Sequence, residues 1–159
     1  MFRSPLPFLI NILIIIGLFA SCQTKELYEQ VTLYPDHKWP GQQVNEYQFS
    51  ISDTNAAYKV YFVIRHHNSY HYKNIWIQLN TIAPNDSITK QSVNLNLADD
   101  EKGWLGTGMD DIYDQRIPMS ADTLHFKKGL YKFKLQHTMR EDPLDNILST
   151  GIRVEKIKP

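Results

Sequence analysis

From residue 45 onward, hydrophobic and polar residues alternate with a period of two. Tyr47, Phe49 and Ile51 alternate with Glu46, Gln48 and Ser50. Tyr58, Val60, Phe62 and Ile64 share one face of the next run, and Tyr61 and Val63 occupy the other. Ile75, Ile77 and Leu79 stand opposite Trp76, Gln78 and Asn80. Val93, Leu95 and Leu97 repeat the pattern, followed by Tyr131, Phe133 and Leu135, and then by Ile152 and Val154. Such alternation marks strands with one face on a core and one in water. The run at 58–64 is apolar on both faces, which predicts a central strand. Turn-forming clusters separate the runs: 53–55, 67–69, 84–86, 127–129 and 142–144. Short strands at this spacing predict an all-β fold, a single antiparallel β-sandwich of jelly-roll or immunoglobulin-like type with seven or eight strands. Residues 109–116 are the one stretch expected to form a short turn of helix.

The first residues follow a different pattern. Arg3 precedes an apolar run from Phe8 to Phe19, and Ala20, Ser21 and Cys22 follow it. A helix needs roughly 20 apolar residues to cross a bilayer, so this run is too short. It fits the apolar region of a secretory signal. Phe19-Ala20-Ser21-Cys22 resembles a bacterial lipobox, with Phe19 in place of the usual Leu. Cys22 is the single cysteine of the 159 residues, so neither an intrachain disulfide nor a thiolate metal site can be built. The expected organisation is a lipoprotein signal peptide over 1–21, a lipidated N-terminus and tether over 22–41, and the sandwich over 42–159.

Composition narrows the function. Residues 1–21 carry one charged side chain, Arg3, which leaves sixteen basic against seventeen acidic groups in the mature chain. No electrostatic footprint for nucleic acid results, and no polybasic patch for anionic lipid.

The stretch from Gly103 to Asp114 holds three glycines beside Trp104. It lacks the Gly-Lys-Ser/Thr of a phosphate loop and the G-x-G-x-x-G of a dinucleotide site. It is either a loop pinned by Trp104 and Leu105 or an exposed partner-binding loop with Trp104, Gly106 and Gly108 at its centre. Asp99, Asp100, Glu101, Asp110, Asp111 and Asp114 flank it, without the order of an EF-hand; solvated turns are expected. His66, His67 and His71 lie near a predicted hairpin turn, but His66 and His67 would point to opposite faces of a strand, so no metal site is expected. Tyr70 and Tyr72 are expected at an exposed hairpin tip. Arg140, beside Glu141 and Asp142, reads on local grounds as a surface ion pair. No nucleophile has a recognisable setting, so neither catalysis nor a cofactor is expected.

Several of these segments together resemble a known family. A lipobox is followed by Leu27-Tyr28-Glu29-Gln30, by Trp39, and by Arg65-His66-His67-Asn68-Ser69-Tyr70. Then come Trp104-Leu105-Gly106-Thr107-Gly108 and Gln136-His137-Thr138-Met139-Arg140. In this order they resemble the GldH family of gliding motility lipoproteins of Bacteroidota, over nearly the whole chain. Thr138 departs from the Ala frequent in the family. The resemblance implies a cell-envelope lipoprotein needed for gliding, tied to the type IX secretion machinery, with no enzymatic activity or cofactor. It implies other envelope motility and secretion proteins as partners, and gives Arg140 a role in orienting the Trp104 loop. An outer-membrane anchor on the periplasmic side is expected, because residues 23–26 lack a strongly acidic run. A second reading from the residues is a surface glycan-binding lipoprotein that uses Trp76, Trp104, Tyr70 and Tyr72.

Overall fold

A computed structural model describes residues 27–157, and Cys22 with the signal segment lies outside them. The strands are β1 (Leu27–Leu33), β2 (Lys38–Trp39), β3 (Asn45–Ile51), β4 (Ala57–His67), β5 (Asn74–Ile82), β6 (Ile88–Asn96), β7 (Ala98–Asp99), β8 (Gly103–Trp104), β9 (Thr107–Met109), β10 (Ile112–Pro118), β11 (Gly129–His137), β12 (Leu144–Asp145) and β13 (Ile147–Ile157). Among the described residues there is no helix.

The long strands form two antiparallel sheets. One has the order β1-β13-β4-β10-β9 and the other β3-β11-β5-β6. Numbered as eight long strands in chain order, these are 1-8-3-6 and 2-7-4-5. First pairs with eighth, second with seventh, third with sixth and fourth with fifth. That nesting is what results when one long antiparallel ribbon is wrapped over itself, which is the jelly-roll arrangement. Of the two sandwich types expected from sequence, strand order selects the jelly roll.

The alternating residues do what their period requires. Phe62 and Ile64 from β4 and Ile152 and Val154 from β13 face Tyr47 and Phe49 from β3, Ile75 and Ile77 from β5, and Phe133 and Leu135 from β11, in one buried cluster. Aromatic rings fill its middle, with Phe49 stacked on Phe133 at 5.1 Å between centroids. A buried polar seam crosses between the sheets: Asn45 Nδ2 donates to Tyr34 Oη at 2.6 Å, Tyr34 Oη meets Thr150 Oγ1 at 2.7 Å, and Tyr47 Oη donates to the Thr150 carbonyl at 2.9 Å.

Three expectations change. Residues 27–33, assigned to a tether, form edge strand β1 in register with β13 from Leu27↔Glu155 to Leu33↔Ser149. The helical turn at 109–116 is a hairpin of β9 and β10, because Asp110 takes φ of 54° and turns the chain back. The segment after β4 is not a hairpin turn, because β4 and β5 belong to different sheets.

Candidate functional site

β1 runs toward one end of the sandwich, so the connections after β1, β4, β6 and β11 all emerge there. That end collects residues distant in sequence: Trp39, His66 to Tyr72, Leu97 to Asp111, and Thr138 to Asn146.

His66 ends the inward face of β4 and is fully buried. Its ring lies 4.6 Å from that of Trp104, edge to face, 5.7 Å from Tyr70 and 5.8 Å from Tyr113. Nδ1 is 3.0 Å from the His67 carbonyl and Nε2 is 3.3 Å from Gln115 Nε2. A carbonyl can only accept, so Nδ1 carries the proton and Nε2 accepts from the Gln115 amide. That amide also donates to the Leu97 carbonyl at 2.9 Å. Burial holds the His66 pKa below its ordinary value, so the ring is neutral at physiological pH.

Trp104 is half-buried over this histidine, and its ring also lies near Tyr113 and Tyr70, at 6.1 and 6.3 Å. Tyr70 is 4% exposed, so it is not at an exposed tip as the sequence suggested. The chain crosses from one sheet to the other here, which folds Tyr70 inward, and its hydroxyl donates to the Asn74 carbonyl at 3.2 Å. Burial raises its phenol pKa. Tyr72 is half-buried on the rim, edge-on to Tyr70 at 5.8 Å.

Two glycines of the loop serve close packing. Gly106 has φ of 87°, and a Cβ there would meet the Asp114 carbonyl and the Gln115 side chain. A Cβ on Gly108 would sit 2.8 Å from the Tyr113 ring. Their missing side chains let β9 lie against β10.

The carboxylates are dispersed. Asp114 makes a two-point pair with Arg65 at 2.8 and 2.9 Å, and Asp111 accepts from Asn68 at 2.6 Å. Asp100 pairs with Lys73, and Asp99 caps the turn at the Glu101 and Lys102 amides. Among the described residues no cluster of three His, Cys, Asp or Glu is arranged to hold a metal.

Beside the aromatic cluster, on the outer side of the four-stranded sheet, is an open groove of about 530 Å³. Tyr72, Asn74, Trp76, Thr138, Met139 and Arg140 line it. The Thr138 amide donates to the Trp76 carbonyl at 2.9 Å, which carries the β11 chain past β5 and sets Arg140 at the groove. The structure therefore gathers Tyr70, Tyr72, Trp104, Gly106, Gly108 and Arg140 at one end, with Tyr72 joining the Trp104 cluster to the groove. Arg140 makes no ion pair among the described residues, in contrast to the pairing with Glu141 or Asp142 expected from sequence. Glu141 instead pairs with His71 at 3.1 Å.

Sequence reasoning missed Gln115 and His137. Gln115 occupies the inward register of β10, two residues from Tyr113 and from Ile117. A polar side chain on an apolar period was the available signal. His137 continues the inward face of Phe133 and Leu135, and its Nε2 lies 3.0 Å from the Trp39 carbonyl.

The class defined by this architecture is a one-domain jelly roll with an aromatic end and a groove beside it. Comparison with known sequences then identifies the family: a profile of the GldH lipoprotein family matches residues 26–154, and the chain belongs to that family. As a member of a lipoprotein family it is a membrane-anchored protein of the cell envelope. A protein of Christiangramia forsetii described as a gliding motility lipoprotein GldH homolog is 25% identical over 146 residues, covering 87% of this chain and 89% of its own. Among solved structures, dimeric latent PorU from Porphyromonas gingivalis aligns with 85% of this chain at 11% identity and a TM-score of 0.40. Infectious bursal disease virus Gt strain aligns with 85% at 12% identity and a TM-score of 0.39. The chain spans 13% and 31% of those two chains.

Proposed function

We propose that this protein is a non-enzymatic interaction component of the gliding machinery, held at the periplasmic face of the outer membrane by lipid on Cys22 and working with the type IX secretion apparatus. The observation that carries this reading is the family match, which extends from just before β1 into β13 and so spans the jelly roll. The relative from C. forsetii carries gliding motility in its name.

The geometry suits a tethered contact protein. Cys22 precedes β1 by a few residues, and β1 begins at the end of the sandwich opposite the aromatic cluster. β4 and β13 have 11 residues each, which at about 3.3 Å per residue separates the two ends by roughly 35 Å. The lipid thus holds one end and leaves the other free to meet neighbours. There β9 is the outermost strand of its sheet and Met109 is 78% exposed. An open strand edge with an exposed apolar side chain can extend its sheet with a strand of a partner. The perturbed histidine at this end is sealed: both ring nitrogens of His66 are engaged and no solvent reaches it. That arrangement favours packing over proton transfer.

The test is a photo-crosslinking residue at position 109 in living gliding cells. Covalent adducts to one envelope protein of the motility or secretion machinery are expected, and a clean deletion should stop spreading on agar. A deletion strain that spreads normally refutes the proposal. In a parallel arm, Cys22→Ser should block incorporation of labelled fatty acid; unchanged labelling refutes the anchor.

A further inference from the structure

The outer face of the four-stranded sheet is not covered by any of the described residues, and it carries aromatic rings beside amides. Trp76 is 42% exposed on β5, which lies between β11 and β6. Its register partner on β6 is Asn94, and the next outward row pairs Gln78 with Ser92 and with Gln136. Trp76 therefore borders a row of amides along the sheet, with Tyr72 and Met139 beside it at the groove. Aromatic rings next to amides match a sugar, which has an apolar ring face and a rim of hydroxyls.

The hydrogen-bond pattern fits this. Asn74 Nδ2 donates to Asn94 Oδ1 at 2.6 Å. The side-chain oxygen Asn74 Oδ1 and the side-chain amide nitrogen Asn94 Nδ2 have no partner among the described residues beyond this pair, so it offers one acceptor and one donor side by side. Hydroxyls can satisfy both, since each donates once and accepts twice.

Charge narrows the sugar further. The outward positions of this sheet carry Lys90, Lys132 and Lys134, and Arg140 stands at the groove. The one carboxylate on these strands is Glu46, 3.5 Å from Lys134, and beside the groove Glu141 is already engaged by His71 at 3.1 Å and by the Tyr72 hydroxyl. The chain as a whole is neutral, so this excess is local. Arg140 is exposed and has no ion pair among the described residues, and a guanidinium binds a carboxylate by two parallel hydrogen bonds. The groove of about 530 Å³ lies within the roughly 300–1,000 Å³ range of ligand sites.

We propose that this face binds an acidic polysaccharide, with a sugar ring stacked on Trp76, hydroxyls on Asn74 and Asn94, and a carboxylate on Arg140. The surface is separate from the β9 edge, so the two readings stand or fall independently. A carboxylated glycan reaches a protein on the periplasmic face as peptidoglycan, whereas an external uronic acid polymer would require the protein to face outward.

The full-length lipoprotein in detergent micelles would be tested against purified peptidoglycan sacculi and against alginate, with dextran as neutral sugar and polyglutamate as sugar-free polyanion. Retention by sacculi, by alginate or by both is expected, and the retaining arm names the source. Trp76→Ala and Arg140→Gln should each weaken binding about tenfold or more, Trp76→Tyr should keep most of it, and Met109→Ala should leave it unchanged. Circular dichroism of each variant checks the fold. No retention by either acidic glycan overturns the proposal. So does equal affinity for dextran or polyglutamate, or binding that survives both Trp76→Ala and Arg140→Gln.

Discussion

Replacing Gln115 by Met tests whether one buried amide holds the aromatic end together. Gln115 is 5% exposed, and its Nε2 donates to the Leu97 carbonyl and to His66 Nε2. Methionine has a similar length and no donor. The Leu97 carbonyl would keep its second donor, the Leu105 amide at 2.8 Å. His66 Nε2 would keep none. One orphaned buried acceptor costs about 1–3 kcal/mol, and the loss of a shared bond adds about 0.5–1.5 kcal/mol. The thioether recovers part of this through added apolar burial, so the net destabilisation should be about 2–3 kcal/mol. For a domain of this size that lowers Tm by roughly 10 °C. Thermal and urea melts of the full-length protein in detergent would measure it. Gln78→Met, which removes an amide from the outer face, is the control and should stay within about 0.5 kcal/mol. If Gln115→Met falls within the control's range, the amide does not organise this end and the derivation fails.

Three other perturbations follow from the same structure. Burial depresses the pKa of both His66 and His137. Below about pH 6.5 the unfolded chain therefore takes up protons that the folded chain refuses. Stability should be level above that pH and should fall below it, by at most about 1.4 kcal/mol per pH unit per histidine; urea midpoints equal at pH 7.5 and 5.5 would contradict this. Glu29 is gripped by Arg116 and Arg153, each at 2.9 Å, and the hydrogen bond from Arg116 leads in holding its carboxyl below the usual range. Its contribution is present above about pH 4.5 and is lost as pH falls through the lowered value; Glu29→Gln should cost about 1 kcal/mol at pH 7 and lessen the acid sensitivity, and an unchanged acid limb would refute the assignment. Gly106→Ala forces a Cβ onto the Asp114 carbonyl at a positive φ and should destabilise by more than about 1 kcal/mol, with melts no different from wild type as the contrary result.

The strands were legible because each obeys a simple period. Tyr47, Phe49 and Ile51 are buried as their alternation requires, and the two-sided run around Val63 is the centre of its sheet. Strand order was not legible, because period two states which face is buried and says nothing of which strand lies alongside. The errors share that cause. Tyr70 looked like the tip of a hairpin because 67–69 has turn composition, yet the flanking strands belong to different sheets. Met109 to Arg116 looked weakly helical because their alternation is broken by Gln115 and Asp114, two residues whose polar atoms are satisfied only by partners far away in sequence, Leu97 and Arg65. Leu27 to Leu33 looked like tether because an edge strand needs only one buried face, and Val31 and Leu33 remain exposed.

Topology also accounts for where the sequence motifs converge. Eight long antiparallel strands have seven connections. Because β1 starts at the tether end, the first, third, fifth and seventh connections emerge at the opposite end. Those are the segments 34–44, 68–73, 97–111 and 138–146, longer on the whole than 52–56, 83–87 and 119–128 at the tether end. Segments that looked unrelated in the sequence, with Trp39, Tyr70, Trp104 and Arg140, are therefore neighbours by the parity of their connections. The same parity places them at the end opposite the start of β1. In the proposed arrangement a lipid on Cys22 would hold the end where β1 starts at the membrane surface, where short turns suffice. The far end is free to carry long loops, whose backbone polar groups must find side-chain and carbonyl partners such as Gln115 and Asp99. The buried His66 network belongs to that requirement: it ties β4, β10 and the segment after β6 together at the end that carries the edge of β9 and the groove at Trp76, roughly 35 Å from the start of β1.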